Sequence, residues 1–435
     1  MKKVLIFTYY WPPASGPGVQ RFLKFTKYLP EFGWKPYVIT VDNGTYSSTD
    51  ESLKNDVPEI VEVIKTKTSE PFAVYNKMMG KEKKSATVGM IDMDSKKSLL
   101  KRLSVYARAN FFIPDARKGW NKFAYNAAID LIKKEDIKTV ITTGPPQSTH
   151  LIGLKLQKEM GVNWVADFRD PWTTVYYNDM LPRTETTKKK DKKLEDKVVK
   201  NANRVIVVSD GLKQEFSDRS EAIDVIYNGF DTEDMQYQPW DDKNRKFTIS
   251  SIGNFKPNQN VVAFWEVIKE LKAEQEDFAK EVKISLTGNV DGSVLQTIEK
   301  LGIKDMVEIN GYVAHHEATQ RMMTADMLLF IIPQTKRNHL IITGKLFEYI
   351  ASRTPIFAIG PVDGDASSII KNAKRDSMID YNNKASLKKR LLVAWANWQK
   401  AEKPFKHEEG ELWKFSRKGL TEQLANHLNQ LHESN

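Results

Sequence analysis

The sequence contains no cysteine. That excludes a disulfide framework, a thiolate metal site and a cysteine nucleophile, and it fits a reducing compartment. Long apolar runs are missing too, and no stretch reaches the length of a bilayer span. The start, Met1-Lys2-Lys3-Val4-Leu5-Ile6-Phe7, pairs basic residues with an apolar run in the manner of a signal peptide. Polar and turn residues (Thr8, Pro12, Pro13, Ser15, Gly16) follow at once, so a buried first strand is the expectation. A cytoplasmic location is expected with it. Histidines number only 7, and no His-x-x-x-His or carboxylate set has metal-ligand spacing, so no protein-built metal site is expected. A Gly-x-Ser-x-Gly elbow and a Walker loop are also lacking.

The chain has enough apolar material to fold. Its 435 residues, 40% hydrophobic with ten tryptophans, exceed one ordinary core and predict two globular domains. The net charge of +10 is uneven, since residues 65–122 hold 14 Lys and Arg against 5 Asp and Glu. Such a stretch attracts membrane lipid, nucleic acid or phosphorylated substrate. Within it, Lys96 to Arg108 sets Leu99, Leu100, Leu103 and Tyr106 against Lys97, Lys101, Arg102 and Arg108. This is a basic amphipathic helix that either lies on an anionic bilayer or packs on its own domain. No nucleic-acid recognition module accompanies it, so no nucleic-acid partner is expected.

Short apolar runs alternate with helical periodicity, which predicts an α/β chain built on parallel sheets. Val4–Phe7, a Gly-Pro turn, a helical pattern and Tyr37–Val41 open a doubly wound domain. Runs at 139–143, 164–168, 204–208 and 224–227 continue it. A second series begins at Phe247 and includes 282–286, 307–309, 327–332 and 355–359. The expected organisation is a Rossmann-like domain over 1–231 with a basic insertion near 65–118, and a second over 246–414. A linker lies near 231–245. A helix over 415–435 crosses back to the first domain.

Four loops carry the chemistry. Ser15-Gly16-Pro17-Gly18 precedes a helix, and Gly16 and Gly18 allow backbone to approach an anion there, although Arg21 stands where a third glycine of a dinucleotide fingerprint would be. Ala166-Asp167-Phe168-Arg169-Asp170-Pro171-Trp172 follows a buried strand and faces the ligand crevice of an open sheet. Asp167, Arg169 and Asp170 are the catalytic candidates, with Trp172 able to stack on a sugar. The alternative is an Asp-Arg pair that braces the loop. His150, at another strand-to-helix turn, is placed to face the crevice. Thr343-Gly344-Lys345-Leu346-Phe347-Glu348 opens a helix whose first amides suit a diphosphate. Lys345 sits beside it and Glu348 one turn on is able to take ribose hydroxyls. The alternative has Glu348 capping its own helix and Lys345 in solvent. Gly253, Asn254 and Lys256 after one strand, and Tyr312 and Val313 after another, complete the binding candidates.

These pieces together resemble the retaining GT-B glycosyltransferases of family four. The resemblance runs over nearly the whole chain. It rests on the Gly-Pro-Gly loop, Asp167–Trp172, Val207-Val208-Ser209 before Ile226–Asp231, and Lys345–Ala351 with Pro355. It implies two Rossmann-like domains facing a cleft, with a nucleotide-sugar held by the second and a lipid-linked or saccharide acceptor by the first. It further implies Glu348 on the ribose, Gly344 and Lys345 by the diphosphate, with Thr343 and Leu346 as neighbouring binding candidates, and transfer with retention as the leaving phosphate helps to deprotonate the acceptor. No cofactor or metal is implied; the inner face of the cell membrane is a candidate partner surface through the basic helix at Lys96–Arg108. Three positions depart from the family: Leu340 stands where a glutamate is usual, the loop after Ile252 offers only Lys256 as a base, and no histidine lies near Arg169 and Asp170. A GT-B protein that binds nucleotide sugar or a partner without turnover is the alternative.

Overall fold

The computed structural model describes residues 1–46, 48–69, 99–235, 245–401, 405–408 and 410–433. Its contacts gather into two units, Met1–Tyr227 with Arg417–Asn435, and Asn228–Ser416.

The first unit is a parallel seven-stranded sheet ordered β3-β2-β1-β4-β5-β6-β7. The strands are β1 (Lys2–Phe7), β2 (Trp34–Val41), β3 (Glu62–Thr66), β4 (Thr139–Gly144), β5 (Asn163–Phe168), β6 (Arg204–Val207) and β7 (Ile223–Val225). The central strands read as unbroken apolar runs because both faces are covered. Leu5 and Phe7 enter a core shared with Ala128, Ile152 and Leu156. Val4 and Ile6, one residue out of phase, enter another with Phe22, Leu23, Leu420, Leu424 and Leu428. The last three leucines, spaced by four, place one stripe of the helix Arg417–Glu433 against the helix Pro17–Tyr28, and each such side chain contributes about 1.5–3 kcal/mol by leaving water.

One difference from the sequence reading lies at the edge. Glu62–Thr66 was expected to pass into a basic insertion, yet Val63 and Ile64 pair with Val38 and Ile39 as β3. Its alternating, half-exposed pattern is that of an edge strand, and it has too few apolar residues to stand out. Much of the remaining insertion lies outside the described residues; its described end forms the helix Leu99–Phe111. Lys96, Lys97 and Ser98 also lie outside them.

The lysine run at 188–193 lies in the helix Glu185–Asn201. Outward lysines pair with Glu185 and Asp196, while Asp191 and Glu195 turn inward and are buried.

The second unit is a parallel five-stranded sheet ordered β10-β9-β8-β11-β12. Its strands are β8 (Phe247–Ile252), β9 (Val282–Thr287), β10 (Val307–Gly311), β11 (Met327–Ile331) and β12 (Ile356–Ile359). One face packs on Trp265, Ile268, Leu271, Val294, Ile298, Leu387 and Leu391. Residues 228–231, read as the end of the first domain, lie in this unit. There the Phe230 amide donates to the Phe415 carbonyl at 3.1 Å. Residues 236–244 of the expected linker lie outside the described residues.

Candidate active site

In an open parallel sheet a crevice forms at the carboxyl edge where the strand order reverses, because the loops of the two neighbouring strands leave in opposite directions. The first sheet reverses between β1 and β4, the second between β8 and β11. The predicted residues collect at these two places.

In the first unit a cavity of about 560 Å³ lies there. Ser15, Gly16 and Gly18 from the loop after β1 line it, with Pro145 and Gln147 after β4 and Arg169 and Asp170 after β5. Gly16 holds a φ of 112°, a left-handed conformation that favours glycine. Gly18 leaves room for the Arg169 guanidinium, since a Cβ there would lie 2.3 Å from Nη1 and push it aside. The Arg169 guanidinium is fixed from behind: Nε donates to the Gly144 carbonyl at 3.1 Å and Nη2 to that of Pro145 at 2.5 Å. Nη1 is left beside Gly18. Asp170 is half-buried and makes no hydrogen bond among the described residues. Burial pushes its carboxyl above the usual range, against the pull of Arg169.

Three expectations are corrected here. Asp167 is 1% exposed and spent on bracing. Its Oδ1 accepts from Nε and Nη2 of Arg21 at 3.1 and 2.7 Å, and its Oδ2 from the Thr143 hydroxyl at 2.7 Å. Arg21 also donates to the Tyr227 carbonyl at 2.7 Å. The brace foreseen as an alternative is therefore present, with Arg21 rather than Arg169 as partner. Trp172 borders the cavity but is 3% exposed, its indole donating to Asp191 at 2.8 Å, so it forms part of the buried wall rather than an open stacking platform. His150 is fully buried, stacked on Phe168 at 4.3 Å. Burial first, then the nearby Arg169 cation, push its pKa down to about 3. The Trp164 indole donates to the Thr142 hydroxyl, which bonds Nδ1 of His150. This neutral ring is a core element, not a crevice base.

The sequence reading missed other walls of the cavity: Tyr10, Asp115, Arg117 and Arg183. Arg108 joins them there. The concentration of charge in 65–122 was the available signal for Arg108, Asp115 and Arg117. Arg183 carried none.

In the second unit the helix Lys345–Ala351 starts at the carboxyl edge of the sheet. Tyr349 anchors it: the hydroxyl accepts from the Ile252 amide at the end of β8 at 2.9 Å, and the ring meets Phe330 of β11 edge-on. This brings Lys345 near Lys256 of the loop after β8. Burial, then the Lys256 charge, lower the Lys345 pKa from 10.5 to about 8, while Glu348 one turn on opposes the shift. Lys345 makes no ion pair among the described residues; its ammonium lies 6.0 Å from the Tyr349 ring. Gly344 has an ordinary helical φ of −56°, and a Cβ there would meet open space. Neither conformation nor packing requires glycine at that position. Gly253 (φ 98°) and Gly288 (φ 116°) make the loops after β8 and β9 touch backbone to backbone. Asn254 is exposed beside them.

Buried oxygens without partners cluster at the same edge: Oγ1 of Thr343, Thr335 and Thr287 and Oδ1 of Asn258. Such atoms are costly unless something bonds them. Leu346 is corrected from the binding set, because its side chain is fully buried in the core and its amide is used by the Thr343 carbonyl. Tyr312, 92% exposed, and Val313 follow β10, two strands from β8. Gly16 and Gly18 lie in the first unit and so do not join this set. A separate cavity of about 670 Å³, beside Phe247, Met327 and Pro355, sits at the opposite edge of the second sheet.

Residues 90–234 match the family model described as Glycosyltransferase Family 4. Among solved structures, sucrose-phosphate synthase from Thermosynechococcus elongatus is similar over 100% of both chains, with a TM-score of 0.63 and 10% identity. The Candida albicans trehalose-6-phosphate phosphatase N-terminal domain is similar over 99% of this chain and 97% of that one (TM-score 0.62, 12% identity). A variant of S. aureus TarM, in complex with Fondaparinux, alpha-GlcNAc-glycerol and UDP, covers 98% and 99% (TM-score 0.55, 14% identity). No curated protein sequence matches the chain. Two parallel α/β units of this topology define the GT-B fold, and residues 90–234 within it are similar to the family-four glycosyltransferases.

Proposed function

We propose that the chain transfers a sugar, with retention of configuration, from a nucleotide-sugar held by the second unit to a saccharide or lipid-linked acceptor held by the first. One observation carries this reading. A half-buried ammonium with no ion pair among the described residues, Lys345, lies near a second one, Lys256, at the point where the second sheet reverses, with Glu348 one turn further along the helix. Two cations brought together against their mutual repulsion suit a diphosphate. They supply the positive charge that the missing second base of the Lys256 loop would have given, and the reading needs no metal. The empty side of Gly344 leaves room for the phosphates to approach. On this reading Glu348 takes the ribose hydroxyls. The UDP bound by the similar TarM variant supports the same donor class. In the first unit, Arg169 and Asp170 orient the acceptor.

A thermal-shift screen of nucleotide sugars tests the reading. The native donor raises the melting temperature, since ligand binding to the folded state alone adds stability. Product analysis by NMR then shows the anomer retained. Nucleotide binding with no transfer to any acceptor would favour the non-catalytic alternative.

Lys345 makes the binding dependent on pH. Its folded-state pKa is depressed, so the free site loses the ammonium as pH rises through about 8. Nucleotide affinity is flat below that point and falls above it, by up to about tenfold per pH unit. The unfolded chain keeps the proton up to its ordinary value of 10.5, so ligand-free stability rises between about 8 and 10.5. Lys345→Met accordingly stabilises the free protein, by on the order of 1–3 kcal/mol, while weakening nucleotide binding. Calorimetry at pH 7 and 9 checks both signs.

No helix among the described residues is long and apolar enough to cross a membrane. The proposed cytoplasmic enzyme instead meets the inner face of the cell membrane through the helix Leu99–Phe111, which exposes Leu103 (63%) and Phe111 (70%) with Arg102. Serine at both positions should lower binding to anionic vesicles at least tenfold in flotation assays, at about 1 kcal/mol or more per lost apolar group.

A further inference from the structure

The loop that follows β5 has little backbone support. Among the described residues, Asp170 to Thr174 donate no hydrogen bond to a backbone carbonyl, and Pro171 has no N–H to give. Side-chain carboxylates hold the loop instead. The Trp172 indole donates to Oδ1 of Asp191 at 2.8 Å. The amide and the hydroxyl of Thr173 both donate to Oε2 of Glu195, at 2.8 and 2.7 Å. The Thr174 hydroxyl donates to Glu215, of the helix Asp210–Phe216, at 2.5 Å. Asp191 and Glu195 stand one turn apart on the inward face of the helix Glu185–Asn201, so they meet consecutive residues of the loop. They are 1% and 0% exposed. Burial of a carboxylate is costly unless cations and hydrogen bonds compensate it. Here Arg183 bonds Asp191 at 2.7 Å, while Lys192, at 3.0 Å, and Arg219 face Glu195. Apolar packing would cover a plain loop at less cost. What the acids add is direction, since each oxygen fixes one donor in one place.

The held stretch begins directly after the two groups that reach the cavity. Arg169 is fixed from behind by the Gly144 and Pro145 carbonyls, and Trp172 and Thr173 are fixed from ahead. Asp170 lies between these anchors. Burial and the Arg169 charge act on its carboxyl, and no hydrogen bond does, so its place is set through the chain on either side. We propose that Asp191 and Glu195 are positioning residues: through Trp172 and Thr173 they fix Arg169 and Asp170 at the wall of the first unit's cavity. Calling that wall the acceptor site rests on the transferase reading above; the mechanical link does not.

NMR on the full chain, with isotope-labelled arginine and aspartate, tests the link. The two signals are assigned by their loss in Arg169→Lys and Asp170→Asn. Thr173→Val keeps the shape and the amide bond to Glu195 but removes the hydroxyl bond. Trp172→Phe keeps a ring and removes the bond to Asp191. Neither removes a charge, so both proteins should fold. A hydrogen bond to a charged group is strong enough that its loss should speed exchange of the Arg169 Nε–H about tenfold or more. The Asp170 carboxyl, opened to water, should titrate lower, toward the ordinary carboxylate range. Thr173→Ser keeps the hydroxyl and should restore both signals. Tyr125→Phe removes a hydroxyl bond to Glu159 elsewhere in the unit and should move neither. Folded Thr173→Val and Trp172→Phe proteins in which Arg169 exchange and Asp170 titration stay as in the natural chain would overturn the proposal. So would an equal effect of Tyr125→Phe, which would mark general loosening. UDP affinity, measured by calorimetry in parallel, should be unchanged by these substitutions, because Lys256, Lys345 and Glu348 lie in the second unit. Failure of the natural protein to bind UDP would sink the donor assignment while leaving the loop result intact.

Discussion

Arg21→Leu destabilises the first unit by about 3–5 kcal/mol, the usual cost of removing one partner from a buried ion pair. Both side chains of the Arg21–Asp167 pair are 1% exposed, so water cannot replace the lost guanidinium. Asp167 would retain only the Thr143 hydroxyl, and the Tyr227 carbonyl would lose its donor. A carboxylate stranded in this way is the source of most of the loss. Removing both charges together, Arg21→Leu with Asp167→Leu, should therefore recover part of the stability lost by either single change. Urea denaturation followed by far-UV circular dichroism measures all three. A loss below about 1 kcal/mol for Arg21→Leu would mean that Asp167 is not braced as described, and would return it to the list of reactive groups.

Glu348→Ala lowers nucleotide affinity by about 100-fold while leaving the melting temperature nearly unchanged. A carboxylate that holds two ribose hydroxyls makes two charge-assisted hydrogen bonds, each contributing about 1.5–3 kcal/mol. The side chain is only half-buried, and the helix Lys345–Ala351 is anchored by Tyr349 and by Leu346, Phe347 and Ile350 in the core, so the fold does not depend on it. Nucleotides lacking the 2′-hydroxyl sharpen the test. The natural protein should discriminate against them, and Glu348→Ala should not, because the discriminating group is gone. Equal affinity of natural protein and variant for the complete nucleotide would take the ribose away from Glu348.

Much of the architecture was open to sequence reading, and the reasons are local. Val4–Phe7, Val205–Val208 and Met327–Ile331 are short, almost wholly apolar runs because both faces of a parallel sheet are covered, and they stand out against the helical periodicity around them. The helix after Gly344 was legible from Lys345 and Glu348 standing one turn apart. Failures came where a residue type has two uses. Asp167, Arg169 and Asp170 stand close together and look equivalent in the chain, but Asp167 lies inside β5, where Arg21 reaches it, whereas Arg169 and Asp170 lie past the last strand residue, Phe168, in the loop that lines the cavity. His150 and Trp172 have polar edges that suit a site, yet each found a buried partner in Thr142 or Asp191. Leu346 lies beside Lys345 in sequence and a third of a helical turn away in space.

By itself the sequence determined the class: strand and helix periodicity twice over, loops rich in glycine and charge at strand ends, and no cysteine chemistry. Periodicity is a property of neighbours along the chain, so it survives without coordinates. Only the tertiary structure decided which charged groups are paired and which stand open. Arg21 meets Asp167 across 146 positions, and Lys256 comes near Lys345 because Tyr349 ties the ends of two strands together. Whether an ion pair braces a fold or waits for a ligand depends on distance and water. Both are set by how the elements pack.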